Sequence, residues 1–472
     1  MTQQAVVDAH GTRVEESAVD ALRASLRGRL VRPGDADYDS VRAVWNGMID
    51  RRPGLAVQCA GAADVIQAVR FAQEKEMLLS VRGGGHGVAG DAVCDDGLMI
   101  DLSQMRGVWV DPKARRARAQ AGALWGDFDS ETQVFGLATT GGIVTHTGVA
   151  GLTLGGGIGW LMRKHGLTID NVLSFDVVTA DARALRASAE ENSDLFWGLR
   201  GGGGNFGIVT SFEYRLHEVG PQVLAGVIVH PAERATEILR YYRDFIASCP
   251  EELTTIIILR KAPPAPFLPQ EVHGVPAVMI AVCYAGRIEE GERVLEPLRR
   301  FGQPLADVVR PCPYLAQQSL LDASVPHGLR YYWKSEYLRE LSNEAIDTLV
   351  AHAWSTPSAN SYTVMFQMGG AVRRTPDDES AFLGRHANHA LNIDSVWSER
   401  AEDEKQMQWA RGFWTDVQPF SAGGVYVNFL GDEGEDRVKA AYGDKYERLV
   451  ALKSKYDPSN LFRMNQNIKP TA

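Results

Sequence analysis

The run Gly83-Gly84-Gly85-His86-Gly87 sets an imidazole in backbone that carries no other bulky side chain. Imidazole can act as a nucleophile, a base or a metal ligand. No second His or Cys stands at a metal-ligand spacing from His86, so no metal site is expected. Two readings stay open on the residues alone: a nucleophile beside a cofactor, or an ordinary loop histidine, one of 11. Glycine sharpens the question. Three clusters, at 83–90, 141–159 and 198–207, hold nineteen of the 47 glycines. Gly85, Gly87 and Gly90, and again Gly202, Gly204 and Gly207, have the GxGxxG spacing. A dinucleotide fingerprint must open a helix. Gly90 leads into Asp91-Ala92-Val93 and Gly207 into the β-branched run Ile208-Val209-Thr210, so that reading is set aside. Instead, glycine-rich turns let backbone N–H groups crowd a large, flat, anionic ligand where a side chain would block it. Ordinary turns are the plainer alternative.

The elements that must carry these loops can be traced by periodicity. Residues 62–75 show helical spacing of Val65, Ile66, Val69 and Ala72. Strand-like pieces follow at 77–81, 98–101, 107–110, 115–121, 173–179 and 208–216. After Pro221 the texture changes to long strands at 224–230, 254–260, 275–284, 362–369 and 390–397, with a further segment from 332. Amphipathic helices at 232–245, 289–301, 342–354 and 402–413 alternate with them, and 435–453 reads as one last helix. This is an α+β pattern, the second half being an antiparallel sheet with helices on one face. At 472 residues the chain exceeds one hydrophobic core, so two domains are expected. A formal charge of −10 argues against nucleic acid, and no apolar run reaches membrane-spanning length. The N-terminus lacks a signal-peptide core. Cys59, Cys94, Cys249, Cys283 and Cys312 are scattered and odd in number, which fits reduced thiols and a cytoplasmic setting.

The stretch Val81-Arg82-Gly83-Gly84-Gly85-His86-Gly87 resembles the flavin-attachment motif of the vanillyl-alcohol oxidase superfamily, in particular its bacterial berberine-bridge-enzyme-like branch. The runs Thr147-Gly148-Val149-Ala150-Gly151-Leu152-Thr153-Leu154-Gly155-Gly156-Gly157, Arg163-Lys164-His165-Gly166-Leu167, Gly201-Gly202-Gly203-Gly204-Asn205-Phe206-Gly207-Ile208 and Tyr456-Asp457-Pro458-Ser459-Asn460-Leu461 support it in the same order. The resemblance implies a two-part FAD-binding domain, residues 1–217 plus 425–472. A substrate domain, residues 218–424, would be built on an antiparallel sheet covered by helices. It implies FAD contacts at Arg82, Gly83, Gly84, Gly85, Gly87, Thr147, Gly148, Gly151, Gly155, Gly156, Asn205, Gly207, Ile208 and Asn465. It also implies a covalent 8α bond from His86. Many relatives add a second bond from a cysteine; its place falls at Val144, so one covalent attachment is expected.

The resemblance also supplies candidates for moving the proton. Tyr426, in Val425-Tyr426-Val427-Asn428-Phe429, matches a tyrosine of an active-site strand, although a phenol needs help to act as a base. His165 stands where relatives often carry tyrosine, and imidazole is a more natural base at neutral pH. Plant relatives hold a glutamate or glutamine at the place of Ala390, which argues against the berberine-bridge reaction itself. Asn392 shares a strand face with Ala390 and Asp394 and can orient a substrate oxygen; Asp394 is a weaker candidate base. Tyr331, Tyr332, Trp333 and Gln367 offer mixed aromatic and polar surface. The expected activity is oxidation of an alcohol of a sugar or secondary metabolite, with hydride passing to flavin N5 and oxygen as acceptor. A dehydrogenase, or an amine or cyclising oxidase, is the alternative. Thr147, three beyond Val144, occupies the oxygen-gate position, where a small residue admits oxygen. Substrate and oxygen are the expected partners, nucleic acid and membrane are not, a flavin-bearing protein whose partner role dominates is a further alternative, and the oligomeric state is open.

Overall fold

Strands of parallel sheets are covered on both faces, and Leu98–Asp101 is buried along its whole length. In the computed structural model, which describes residues 6–265 and 268–471, it lies between Leu55–Gln58 and Leu79–Arg82, parallel to both. Helix Ala62–Glu74 makes the crossover and buries Val65, Ala68, Val69 and Ala72 against this sheet. Arg29–Val31 adds an antiparallel edge. A second, five-stranded antiparallel sheet runs in the order Val108–Asp111, Arg116–Gln120, Ile208–Arg215, Val172–Val178 and Ala184–Ser188. The 83–90 cluster follows strand Leu79–Arg82, the 141–159 cluster surrounds and includes the short helix Val149–Leu154, and the 198–207 cluster leads into strand Ile208–Arg215. Gly207 opens a strand, as expected, and not a helix.

The third sheet is antiparallel and eight-stranded. Neighbours run in the order Pro276–Tyr284, Leu253–Lys261, Tyr362–Gln367, His389–Trp397 and Arg330–Leu338, the last being an edge strand. One face is covered by helices Ala235–Ile246, Ile288–Arg300, Asn343–Ala353 and Asp403–Val417. There Ile257, Leu259, Ile280, Leu391 and Ile393 pack on Ile238, Leu295, Leu349 and Phe413. The other face, through Ile256, Ile258, Val364, Phe366 and Ala390, looks back at the glycine loops. The fold is thus α+β with the helix-covered antiparallel sheet read from the sequence.

Three details differ from expectation. The segment 435–453 is not one helix. Gly443 takes a left-handed φ of 54° and divides it into Glu435–Tyr442 and Tyr446–Tyr456, joined by a 3₁₀ turn. Tyr426 is not in a strand; it precedes the 3₁₀ turn Val427–Phe429. The helix expected from 232 begins with a 3₁₀ turn, Ala232–Arg234. Among the described residues no helix is long and apolar enough to cross a membrane, no disulfide forms and no metal-ligating cluster occurs.

The tail returns to the N-terminal part. Lys453 is fully buried, and its ammonium donates to Asp457 Oδ2 (2.7 Å), Asn205 O (2.8 Å) and Phe462 O (2.8 Å). Asp457 in turn accepts from the N–H groups of Leu461 and Phe462, both at 2.8 Å.

Candidate active site

Strand Leu79–Arg82 ends in the Gly83–Gly87 loop, and strand alternation decides which side chain meets the cavity beyond it. Arg82 turns away. Its Nε and Nη2 donate to the two oxygens of buried Asp101 at 3.0 and 2.8 Å, and Nη1 donates to the carbonyls of Val41 and Ala43. Arg82 was expected at the cofactor; it braces the strand instead. His86 does face the cavity. Its ring stacks on Trp45 with centroids 4.3 Å apart, and Trp45 stacks on Tyr331 at 3.7 Å. Asn46 joins the same two regions, its amide donating to Val88 O (2.9 Å) and Tyr331 O (3.0 Å). Burial pushes the His86 imidazole down to about 3, with the nearby His146 and His327 adding to it. The ring is therefore neutral and nucleophilic, and its buried Nε2 has no partner among the described residues.

The glycines do two jobs. A Cβ on Gly84 would sit 2.5 Å from the backbone of Gly148, so these two loops interlock, and both glycines also line the cavity. A Cβ on Gly87, Gly151 or Gly204 would meet nothing within 4 Å, and all three line the cavity. There backbone is bared toward space that a ligand can fill. Gly83, Gly85, Gly155, Gly207, Ile208 and Thr147 also line it, as does Val144. Gly156 is not among the lining residues; a Cβ there would meet the ring of Phe382 at 2.6 Å. Asn205 lines the cavity while its amide holds Gly202 O (2.9 Å) and Gln466 O (3.2 Å). Asn465 joins it from the tail, with its buried Oδ1 unpartnered.

Tyr426 lies at the opposite wall. Its phenol oxygen accepts from Gly157 N (2.9 Å), Ile158 N (3.4 Å) and Asn428 Nδ2 (2.8 Å). Burial raises the phenol's pKa, and those three contacts pull it back. Asn392 and Asp394 line the cavity from one strand face, the Asn392 amide donating to Asp394 Oδ1 at 2.8 Å. Burial holds the Asp394 carboxyl well above the usual carboxylate range. His165 is not in this cavity. Its ring stacks on His217 at 3.9 Å, and burial together with the His217 and Lys164 charges lowers it to about 3. It belongs to the layer behind, so the base role suggested by its position does not carry over.

Asn428, Arg260 and Tyr362 also line the cavity and were given no role from the sequence. Period two along 256, 258 and 260 was the available signal for Arg260, and along 362, 364 and 366 for Tyr362. The same alternation turns Tyr332 and Gln367 away: Tyr332 meets Arg411, and Gln367 accepts from Thr255. Trp333 lines the cavity. Unpartnered His86 Nε2 and the bared backbone at Gly87, Gly151 and Gly204 fit a large flat cofactor carrying an anionic pyrophosphate.

Comparison with known proteins bears on which cofactor that is. The FAD binding domain family matches residues 53–188, and the family described as berberine and berberine-like matches residues 425–469. An FAD-linked oxidoreductase of Dictyostelium discoideum is 32% identical over 451 residues, covering 94% of this chain and 95% of that protein. The (R)-6-hydroxynicotine oxidase of Paenarthrobacter nicotinovorans is 30% identical, covering 94% and 97%. The crystal structure of 6-hydroxy-D-nicotine oxidase from Arthrobacter nicotinovorans superposes with a TM-score of 0.86 at 28% identity, over 95% of this chain and 99% of that one.

Proposed function

The chain belongs to the berberine-like FAD-linked oxidoreductases of the vanillyl-alcohol oxidase superfamily, and on that premise we propose that it is an oxidase of a small-molecule alcohol, of a sugar or secondary metabolite, using oxygen. Bound FAD supplies the hydride acceptor and passes its electrons to oxygen, yielding hydrogen peroxide. The remaining work falls to this chain's own residues. His86 tethers the cofactor through one covalent bond; Val144, at the place of a second tether, has no nucleophile. The bared backbone of the glycine loops and Asn205 and Asn465 hold the rest.

Tyr426, as a phenolate whose own proton has first gone to solvent, takes the proton of the substrate hydroxyl. The observation that carries this is the set of three N–H donors on its oxygen, which favour the phenolate when the proton leaves. Asn392 orients the substrate oxygen. Thr147, small and β-branched, keeps open the approach for oxygen. The domain division at 217 and 424 is part of the same reading, supported by the Lys453 contacts that fold the tail onto Asn205. So are a bacterial-type lineage, supported by the Paenarthrobacter relative, and a cytoplasmic setting.

Oxygen consumption and peroxide release, measured with purified protein against sugars, phenolic alcohols and cyclic amines, test the proposal. An alcohol that bleaches the flavin near 450 nm and is followed by rapid reoxidation in air is the expected result. Bleaching with sluggish reoxidation, beside fast reduction of an artificial acceptor, would make it a dehydrogenase. Bleaching only by amines would reassign the substrate.

A further inference from the structure

A charge buried away from water is costly unless it is paired, so natural interiors pair it or keep it for a ligand. Arg260 is 8% exposed and makes no salt bridge with a described carboxylate; Asp394 acts on it from farther off. Its Nε donates to the Lys261 carbonyl at 3.1 Å, while its terminal nitrogens make no hydrogen bond to described residues. The guanidinium carbon lies 5.2 Å from the centroid of the Tyr362 ring, on the wall of the active-site cavity.

Sheet register shows what stands beside it. Tyr362 pairs with Asp394, Asp394 pairs with Trp333, and Arg260 follows the pair Leu259–Thr363 by one residue. Four neighbouring strands therefore present Arg260, Tyr362, Asp394 and Trp333 as one row across the sheet. In that row Asp394 Oδ2 and Trp333 Nε1 are buried and unpartnered. Burial raises the Asp394 carboxyl well above its ordinary range, against the pull of Asn392 and Tyr362, which favours the protonated form whose O–H can donate. Guanidinium and indole N–H are donors, the carboxyl joins them in its protonated form, and the guanidinium has no salt bridge among the described residues. The complement is a compact monoanion that only accepts. The next positions along the strands, Ile258, Val364 and Phe366, are apolar, and Asn392, the strand partner of Val364, is the polar group beside them.

We propose that the substrate is a carboxylic acid whose carboxylate seats on Arg260, with Trp333 and Asp394 as further donors, and whose apolar body extends along Ile258, Val364 and Phe366. This rests on the oxidase reading for what happens to the substrate, but the binding claim can be tested without turnover. An aromatic or aliphatic hydroxy acid fits such a wall better than a neutral sugar, whose hydroxyls would face the apolar residues with few partners.

The test titrates the flavin-loaded protein with benzoate and with benzamide, which share a body and differ in charge, and follows the flavin absorption spectrum and calorimetric heat. Benzoate is expected to bind saturably and at least about 10-fold more tightly than benzamide. Arg260→Gln is expected to weaken benzoate about 10- to 100-fold, the range for a lost charge-assisted contact, with benzamide unchanged. Arg260→Lys should keep part of the preference. Equal binding of the two probes, no benzoate heat at all, or a preference that survives Arg260→Gln would overturn the proposal. Inorganic phosphate displacing benzoate at comparable concentration would overturn the choice of carboxylate. Should Arg260→Gln fail to fold, the benzoate-to-benzamide ratio in the natural protein and in Arg260→Lys still decides. If no alcohol is oxidised, the oxidase reading falls while a positive benzoate result stands.

Discussion

A phenol oxygen has two lone pairs, yet Tyr426 is offered three N–H donors. That surplus suits an oxygen that carries negative charge until it takes the substrate's proton. Tyr426→Phe should slow anaerobic flavin reduction by roughly 10²–10⁴-fold at unchanged flavin content, checked by stopped-flow absorbance. His165→Ala should change that rate by no more than a few-fold, because its ring lies outside the cavity against His217. His86, neutral and stacked on Trp45, is argued to be the tether. Acid precipitation of the natural protein should leave the flavin on the chain, whereas His86→Ala should release it; flavin freed from the natural protein would sink the covalent assignment. Thr147→Leu places a larger side chain on the cavity wall. Its expected signature is slower reoxidation by oxygen with anaerobic reduction preserved, read by mixing reduced enzyme with aerated buffer.

Elements hold the gate loop in place through buried polar contacts. Gln318, at the end of the Tyr314–Gln318 helix, donates to Gly142 O (3.1 Å) and to Asp129 Oδ2 (2.7 Å) on helix Trp125–Gln133. Asp322 accepts from Thr145 N at 2.9 Å. Asp129 is fully buried, and burial raises its carboxyl to about 7, offset only in part by Gln318. The folded carboxyl thus holds its proton more tightly than the unfolded one. Its contribution is complete below the unfolded pKa near 4 and is lost as pH climbs through about 7. Asp129→Asn keeps an acceptor for Gln318 and cannot ionise. Its melting temperature relative to the natural protein should rise between about pH 4 and 7 and level off above; a pH-independent difference would refute the linkage. Elements also explain what the sequence made legible. The glycine loops and His86 were readable because their chemistry is concentrated in a few adjacent residues. Arg82 was misplaced because adjacency to a motif does not say toward which side a strand points its side chain, and Asp101 captures it. Arg260, Tyr362 and Asp394 escaped notice as a group because only strand pairing brings such distant positions together. The α+β class was legible because long amphipathic helices and period-two strands keep their periods over many residues. The break at Gly443 was not, since one left-handed residue leaves the apolar pattern intact.

On the scale of the whole molecule, the described chain closes on itself. The hydrophobic core of the cofactor half includes Leu55, Val57, Phe212 and Tyr214 from the first half together with Leu449, Leu461 and Ile468 from the tail. The Lys453–Asp457 pair sits inside it with both side chains fully buried. Removing one member of such a pair leaves the other charge without compensation, at a cost of about 3–5 kcal/mol. Lys453→Met should therefore lower the unfolding free energy by about that amount and loosen FAD together with it, measured by denaturant unfolding with flavin fluorescence as a second probe. A change under 1 kcal/mol with normal FAD content would show that the tail is merely attached.

Lys453 also sets an order in time. Its ammonium supplies a donor to the carbonyl of Asn205, a cavity residue made roughly half a chain earlier. While the polypeptide is still leaving the ribosome, that carbonyl has no such donor and the core has no Leu449, Leu461 or Ile468 to close it. The first two sheets must wait, incompletely packed, through synthesis of the whole substrate sheet. Cofactor capture is consequently an event of the finished polypeptide, and a nascent chain halted before residue 453 should emerge colourless.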